Sequence, residues 1–190
     1  HRMGFKVIDN FLTTYDSLRE HCDNVSYDGI TNPEDGIFYE GVTLDIPNEV
    51  REEVIQNLTE VMGREVILNT LFMRLSPQFT VAPHQAHTDT LMGNFSLMLY
   101  LNRLEDCEGG TSLVIHKEAL IDSSPINGKQ LKVWQRDTNT PEAWQIKDVS
   151  QMMPNRACIF DANLMHRAEP IGGFGDNSQN ARLVLTAFYD

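Results

Sequence analysis

Residues 94–102, NFSLMLYLN, constrain the fold of this 190-residue chain more than any other stretch. Successive side chains of a strand point to opposite sides. Phe95, Leu97, Leu99 and Leu101 would therefore share one face, and Asn94, Ser96, Met98, Tyr100 and Asn102 the other. Such a strand needs one greasy neighbour and one mixed one. More short runs of this kind surround it: EVILNTLFMRL from residue 65, TSLVIH, QLKVWQ, AWQIKDV, RACIFDA and ARLVLTAFYD. QLKVWQ and AWQIKDV flank RDTNTPE and read as a hairpin. Many short strands without a βαβ rhythm predict a mainly β chain with flanking helices, closed as a double-stranded β-helix of the jelly-roll or cupin-like type.

The residues before 65 read differently. FKVID is a short strand, and Leu12, Tyr15, Leu18 and Cys22 recur at helical spacing. Thr13 with Asp16 has the form of a capping box at the start of that helix. Residues 23–41, rich in Gly, Pro, Asn and Asp, read as loop. A second helix is expected over 48–62, opened by Pro47 and closed by Gly63. Its face of Val50, Val54, Leu58 and Val61 should lie on a sheet, with Glu49, Glu52, Glu53, Gln56 and Glu60 turned elsewhere. The expected organisation is one domain over 1–190, with a helical part (1–64) and a barrel (65–190).

Composition removes several classes. Acidic residues outnumber basic ones 27 to 15, for a net charge of -12, and no Lys/Arg cluster supplies the basic stripe that nucleic acid requires. No apolar run approaches a membrane span and no signal-peptide pattern opens the chain, so no membrane association is expected. Cys22, Cys107 and Cys158 are odd in number, form no CxxC and lie beside no His at zinc-ligand spacing. This argues against a disulfide framework and a structural zinc site, and for a reducing, cytoplasmic compartment. Cys158, in an apolar run, reads as core.

The chemistry concentrates in two segments. HQAHTDT carries His87 and Asp89, two residues apart, so at strand spacing both can reach one metal. FDANLMHRAEP carries His166 just after a strand, where a closed double sheet can bring it opposite the first pair. Two imidazoles and one carboxylate suit a non-haem iron(II) with an open face, although zinc and manganese accept the same donors. His84 reads as a pocket-wall or surface residue, and His116 as a strand-end histidine without a carboxylate nearby in sequence. Arg182 shares a strand face with Val184, Thr186 and Phe188. It either points to solvent or is buried where a dicarboxylate ligand would pair it, since a buried guanidinium needs a partner. Tyr100 is either an ordinary core tyrosine or a second donor to that carboxylate.

In order, HTD, SLMLYLN, Gly109-Gly110-Thr111, ACIFDANLMH and RLVLTAFYD resemble the iron(II)- and 2-oxoglutarate-dependent dioxygenases, most of all the prolyl 4-hydroxylase-like branch. The resemblance spans residues 65 to 190. It implies that His87, Asp89 and His166 are catalytic iron ligands, that Arg182 holds the distal carboxylate of 2-oxoglutarate and that Tyr100 assists. It implies dioxygen as second co-substrate, admits ascorbate as an auxiliary reductant, and makes hydroxylation the reaction, since Asp89 occupies the position a halogenase leaves to its halide. Two departures stand out. GGFGDNSQN lengthens the segment between His166 and Arg182, and FMRLSPQF lacks the tyrosine that many prolyl hydroxylases carry before HxD. A peptidyl proline or other protein side chain is the leading substrate. A free amino acid or small metabolite comes second. A cupin-like metal enzyme of another class, or a binding module on the same fold, remains open.

Overall fold

The computed structural model describes residues 4–124 and 126–190. Residues 1–3, which the signal-peptide expectation includes, lie outside the described residues. Strand β1 (Lys6–Ile8) leads into helix α1 (Tyr15–Cys22), the hairpin strands β2 (Ile30–Thr31) and β3 (Phe38–Tyr39), β4 (Val42–Thr43) and helix α2 (Asn48–Met62). Then come β5 (Leu68–Ser76), β6 (Phe95–Tyr100), β7 (Gly110–His116), helix α3 (Gly128–Asp137), β8 (Trp144–Gln151), β9 (Ala157–Asp161), β10 (His166–Glu169) and β11 (Arg182–Tyr189).

Six strands form a large sheet in the order β1-β9-β6-β11-β5-β4, and three form a small one, β10-β7-β8. The pairings in both are antiparallel. A bridge between His87 and His166 carries the small sheet one step further, onto the HxD segment. Tyr100, Cys158, Phe160 and Val184 of the large sheet pack with Leu113 of the small one. This is the expected jelly roll.

The alternation in β6 separates the two faces as the sequence predicts. Leu97 and Leu99, with Leu183, Leu185 and Ala187 of β11, form the outer face, which packs against Leu18 and Cys22 of α1 and Val50, Val54 and Leu58 of α2. Each buried aliphatic side chain contributes about 1.5–3 kcal/mol, so this layer is the main store of stability. Helix α2 closes as expected on Gly63, whose φ of 70° is left-handed and whose N–H reaches Thr59.

Three local expectations fail. The Thr13–Asp16 capping box does not form; no side chain of the helix start caps α1. Instead Glu53 of α2 accepts hydrogen bonds from the backbone N–H and hydroxyl of both Thr13 and Thr14, at 2.7–3.1 Å. Burial pushes the Glu53 carboxyl up, but these donors prevail and its pKa lies below the ordinary value. QLKVWQ is not a strand. It is helical within α3, because Asn127 accepts from the Gln130 N–H while the Gln130 side chain accepts from Asn127, a complete capping box. The expected hairpin is therefore absent, and β8 pairs with β7. Finally, the loop over 23–41 contains the β2–β3 hairpin, with Ile30 opposite Tyr39.

Candidate metal centre and cleft

His87 and His166 are held by the backbone before any metal is considered. The N–H of each donates to the carbonyl of the other at 3.0 Å, and Asp89 N–H donates to the Ala162 carbonyl at 2.8 Å. His87 Nδ1 lies 3.1 Å from the Gln85 carbonyl, and His166 Nδ1 lies 2.9 Å from that of Leu164. A carbonyl only accepts, so both Nδ1 atoms carry a proton, which leaves the Nε2 atoms as the ring nitrogens turned toward a metal. Both Nε2 atoms face Asp89: that of His87 is 3.5 Å from one carboxylate oxygen and that of His166 is 3.0 Å from the other. The donor atoms of His87, Asp89 and His166 lie within 4.8 Å of one another.

The donor set fits a divalent cation. His166 Nε2 and the nearer Asp89 oxygen are buried and, although close, are not aligned as a hydrogen bond, so each is left without one. Burial holds the His87 pKa below the ordinary imidazole value, which keeps this ring neutral. Burial pushes the Asp89 carboxyl up, but the two imidazoles outweigh it and the pKa falls below the usual carboxylate value. Burial alone would lower His166; the charge and contact of Asp89 raise it instead. An ionised carboxylate beside a neutral imidazole is the state that a metal ion requires.

The triad opens on a cleft of about 1240 Å³. Its floor is the inner face of β5 and β11, where Arg182 pairs with Ser76, Val184 with Arg74, Thr186 with Phe72 and Phe188 with Thr70. Of the two readings of Arg182, the structure realises the buried one: the residue is 7% exposed. It lines the cleft, and its Nη1 donates to the Glu169 carbonyl at 3.1 Å. Burial lowers its pKa, and Arg74 acts in the same direction. Tyr100 is fully buried and does not line the cleft; its hydroxyl lies 2.9 Å from Thr111 Oγ1 and 3.2 Å from the Ser150 carbonyl. Thr111 is the residue that faces the cleft there. GGFGDNSQN reaches the cleft through Gly172, while Arg19 of α1 anchors its far part by donating to the Ser178 and Gln179 carbonyls.

His84 stands apart from the His87–Asp89–His166 cluster as a cleft-wall residue, its ring 4.8 Å from that of Trp134. His116 has a carboxylate partner after all, brought from α3: its Nε2 lies 2.7 Å from Asp137. Its Nδ1 accepts from the N–H groups of Glu118 and Ala119, which places the ring proton on Nε2. The pair clamps α3 to β7. Sequence reasoning also missed Arg74, which alternation alone places with Phe72 and Ser76 on one face of β5, where it is the strand's one charged residue.

No family model matches the chain, and no curated protein matches it in sequence. Solved structures do match in fold. EctD from S. alaskensis, with 2-oxoglutarate and 5-hydroxyectoine, superposes with a TM-score of 0.57 at 14% identity, covering 100% of this chain and 72% of its own. The epimerase SnoN, in complex with Fe3+, alpha-ketoglutarate and nogalamycin RO, gives 0.59 at 13% identity, covering 99% and 79%. The viral collagen prolyl hydroxylase vCPH from Paramecium Bursaria Chlorella virus-1 gives 0.55 at 11%, covering 97% and 88%. Among the described residues no helix is long and apolar enough to cross a membrane. The chain thus has the jelly-roll fold that EctD, SnoN and vCPH share, with a His-Asp-His cluster on the wall of its cleft.

Proposed function

We propose that this protein is an iron(II)- and 2-oxoglutarate-dependent dioxygenase that hydroxylates a C–H bond of its substrate. The observation that carries the reading is the convergence of His87, Asp89 and His166 beside a buried Arg182 in one cleft. The matching structures support it, since EctD and SnoN were each solved with iron and with the keto acid. His87, Asp89 and His166 are the catalytic residues and hold the metal. Arg182 grips the distal carboxylate of 2-oxoglutarate, as a guanidinium suits a carboxylate in two-point contact. With both groups bound, the site supplies oxidative decarboxylation coupled to hydroxylation: substrate, 2-oxoglutarate and dioxygen give hydroxylated substrate, succinate and carbon dioxide.

The protein's own part is to orient and exclude. The Gln85 and Leu164 carbonyls fix both imidazole rings in the metal-binding tautomer. Tyr100 acts on the co-substrate through Thr111 rather than by direct contact, because its hydroxyl is already engaged there. Residues 1–190 act as one catalytic unit in a reducing, cytoplasmic compartment, a reading supported by three free cysteines. The substrate is a protein side chain, as vCPH suggests, or a small molecule, as EctD suggests.

The test is direct. Purified protein with iron(II), 2-oxoglutarate and dioxygen should release succinate slowly without prime substrate and faster with it. Absence of any metal-dependent 2-oxoglutarate binding would overturn the reading. A zinc or manganese enzyme of another class predicts that outcome, together with activity indifferent to Arg182→Ala.

A further inference from the structure

The cleft floor carries a second guanidinium for which the reading above has no task. Arg74 lies on β5, directly opposite Val184 and one same-face step diagonally from Arg182. Its Nε and Nη2 are buried with no hydrogen-bond partner, and no ion pair holds it among the described residues. Arg74 as a whole is half-buried, but two buried N–H-bearing nitrogens without an acceptor are costly, and a carboxylate in two-point contact is what a guanidinium suits. Glu40, the carboxylate that acts on it electrostatically, is exposed and outside ion-pair distance.

The two arginines face different ways. Arg182 is tied toward β10 through the Glu169 carbonyl. Arg74 has β4 on its other side, opposite Val42, and its guanidinium lies 5.7 Å from the centre of the Tyr39 ring on the β2–β3 hairpin. The Tyr39 hydroxyl, bonded to Asp35 at 2.7 Å, feels the charge of Asp89. Arg74, Tyr39 and Arg182 all line the one cleft, with Arg74 on the β4 side of the floor and Arg182 tied toward β10. Of the two carboxylates of 2-oxoglutarate, the metal neutralises one and Arg182 the other, which leaves Arg74 unmatched.

We infer that Arg74, its guanidinium packed over the Tyr39 ring, forms a second anion subsite, which takes the free carboxylate of the prime substrate. The inference rests on the iron and 2-oxoglutarate reading and narrows it: the substrate is a small organic acid, with free amino acids the first class to try, rather than a residue inside a peptide. A peptide-internal residue has no backbone carboxylate to offer this subsite.

The experiment uses protein loaded with zinc(II) and 2-oxoglutarate, titrated with the proteinogenic L-amino acids and with their α-amides. At least one acid should bind about 10-fold or more tightly than its amide, the size expected of a charge-assisted pair. Arg74→Gln should erase that preference, Arg74→Lys should restore part of it, and both should keep the wild-type 2-oxoglutarate affinity within about twofold. Labelling the wild-type protein with phenylglyoxal gives a reading independent of how the variants fold: the acid should protect Arg74 and the amide should not. The inference is overturned if no acid binds better than its amide, if acid and amide protect equally, or if Arg74→Gln weakens 2-oxoglutarate binding about 10-fold, which would assign Arg74 to the co-substrate. If the wild type binds no 2-oxoglutarate at all, the dioxygenase reading fails instead, and the acid–amide comparison on the zinc-loaded protein still judges Arg74.

Discussion

Strands β5 and β11 have two faces of opposite character, although every residue on one is chain-adjacent to a residue on the other. Outward go Leu71, Met73, Leu183, Leu185 and Ala187, sealed under α1 and α2. Inward go Arg74, Ser76, Arg182 and Thr186, lining the cleft. The period of two assigns stability to one side and chemistry to the other at single-residue resolution. The helices on the outer face leave the inner face free to carry charges that a core would reject.

Substitutions can break this division or sharpen it. The largest effect should come from Asp89→Ala, which should abolish succinate formation and weaken iron(II) binding by more than about 100-fold, since even partners behind the ligands are worth 10–100-fold. Anaerobic titration with iron(II) measures this, and unfolding should barely change. Leu185→Ala, on the opposite face and fully buried, should cost about 2–5 kcal/mol in urea unfolding while metal affinity of the folded protein stays the same. A loss of metal affinity there would show that the faces are coupled. Arg182→Ala should weaken 2-oxoglutarate binding about 10- to 100-fold without a matching loss of metal.

The smallest effect concerns Asp137, away from both faces. The Arg136 guanidinium and then His116 hold its carboxyl at about 2, below the ordinary 3.8. A depressed carboxyl stabilises the fold above the unfolded-state value, and that contribution disappears as pH falls through the folded-state value. The gap in melting temperature between wild type and Asp137→Asn should therefore be constant above about pH 5 and close progressively between about pH 5 and pH 1. A gap undiminished at pH 2 would mean that packing, not charge, holds α3 to β7.

The strands and the His87–Asp89 pair were legible because both depend on short-range spacing: alternation in NFSLMLYLN and RLVLTAFYD, and the two-residue step of HxD. The rest depended on contacts distant in sequence. Val133 and Trp134 give QLKVWQ the composition of a strand, and the cap at Asn127 overrides it. The donors at the start of α1 are satisfied by Glu53, 39–40 residues further along the chain. His116 finds Asp137 only because α3 folds back onto β7. Arg74 becomes a cleft residue only once β11 pairs beside it. Tyr100 looked free to reach a ligand because its engagement by Thr111 depends on the second sheet.

The mutual backbone hydrogen bonds between His87 and His166 have a consequence for how such a site can change over time. The ladder that sets the spacing of the two ligands uses none of their side-chain atoms. Either imidazole can be exchanged for another donor, or for none, while the two Cα positions keep their distance. The pairing of the two segments should thus survive a change of side chain at either position, so that His87→Ala or His166→Ala alters the donor set and leaves its backbone mount in place.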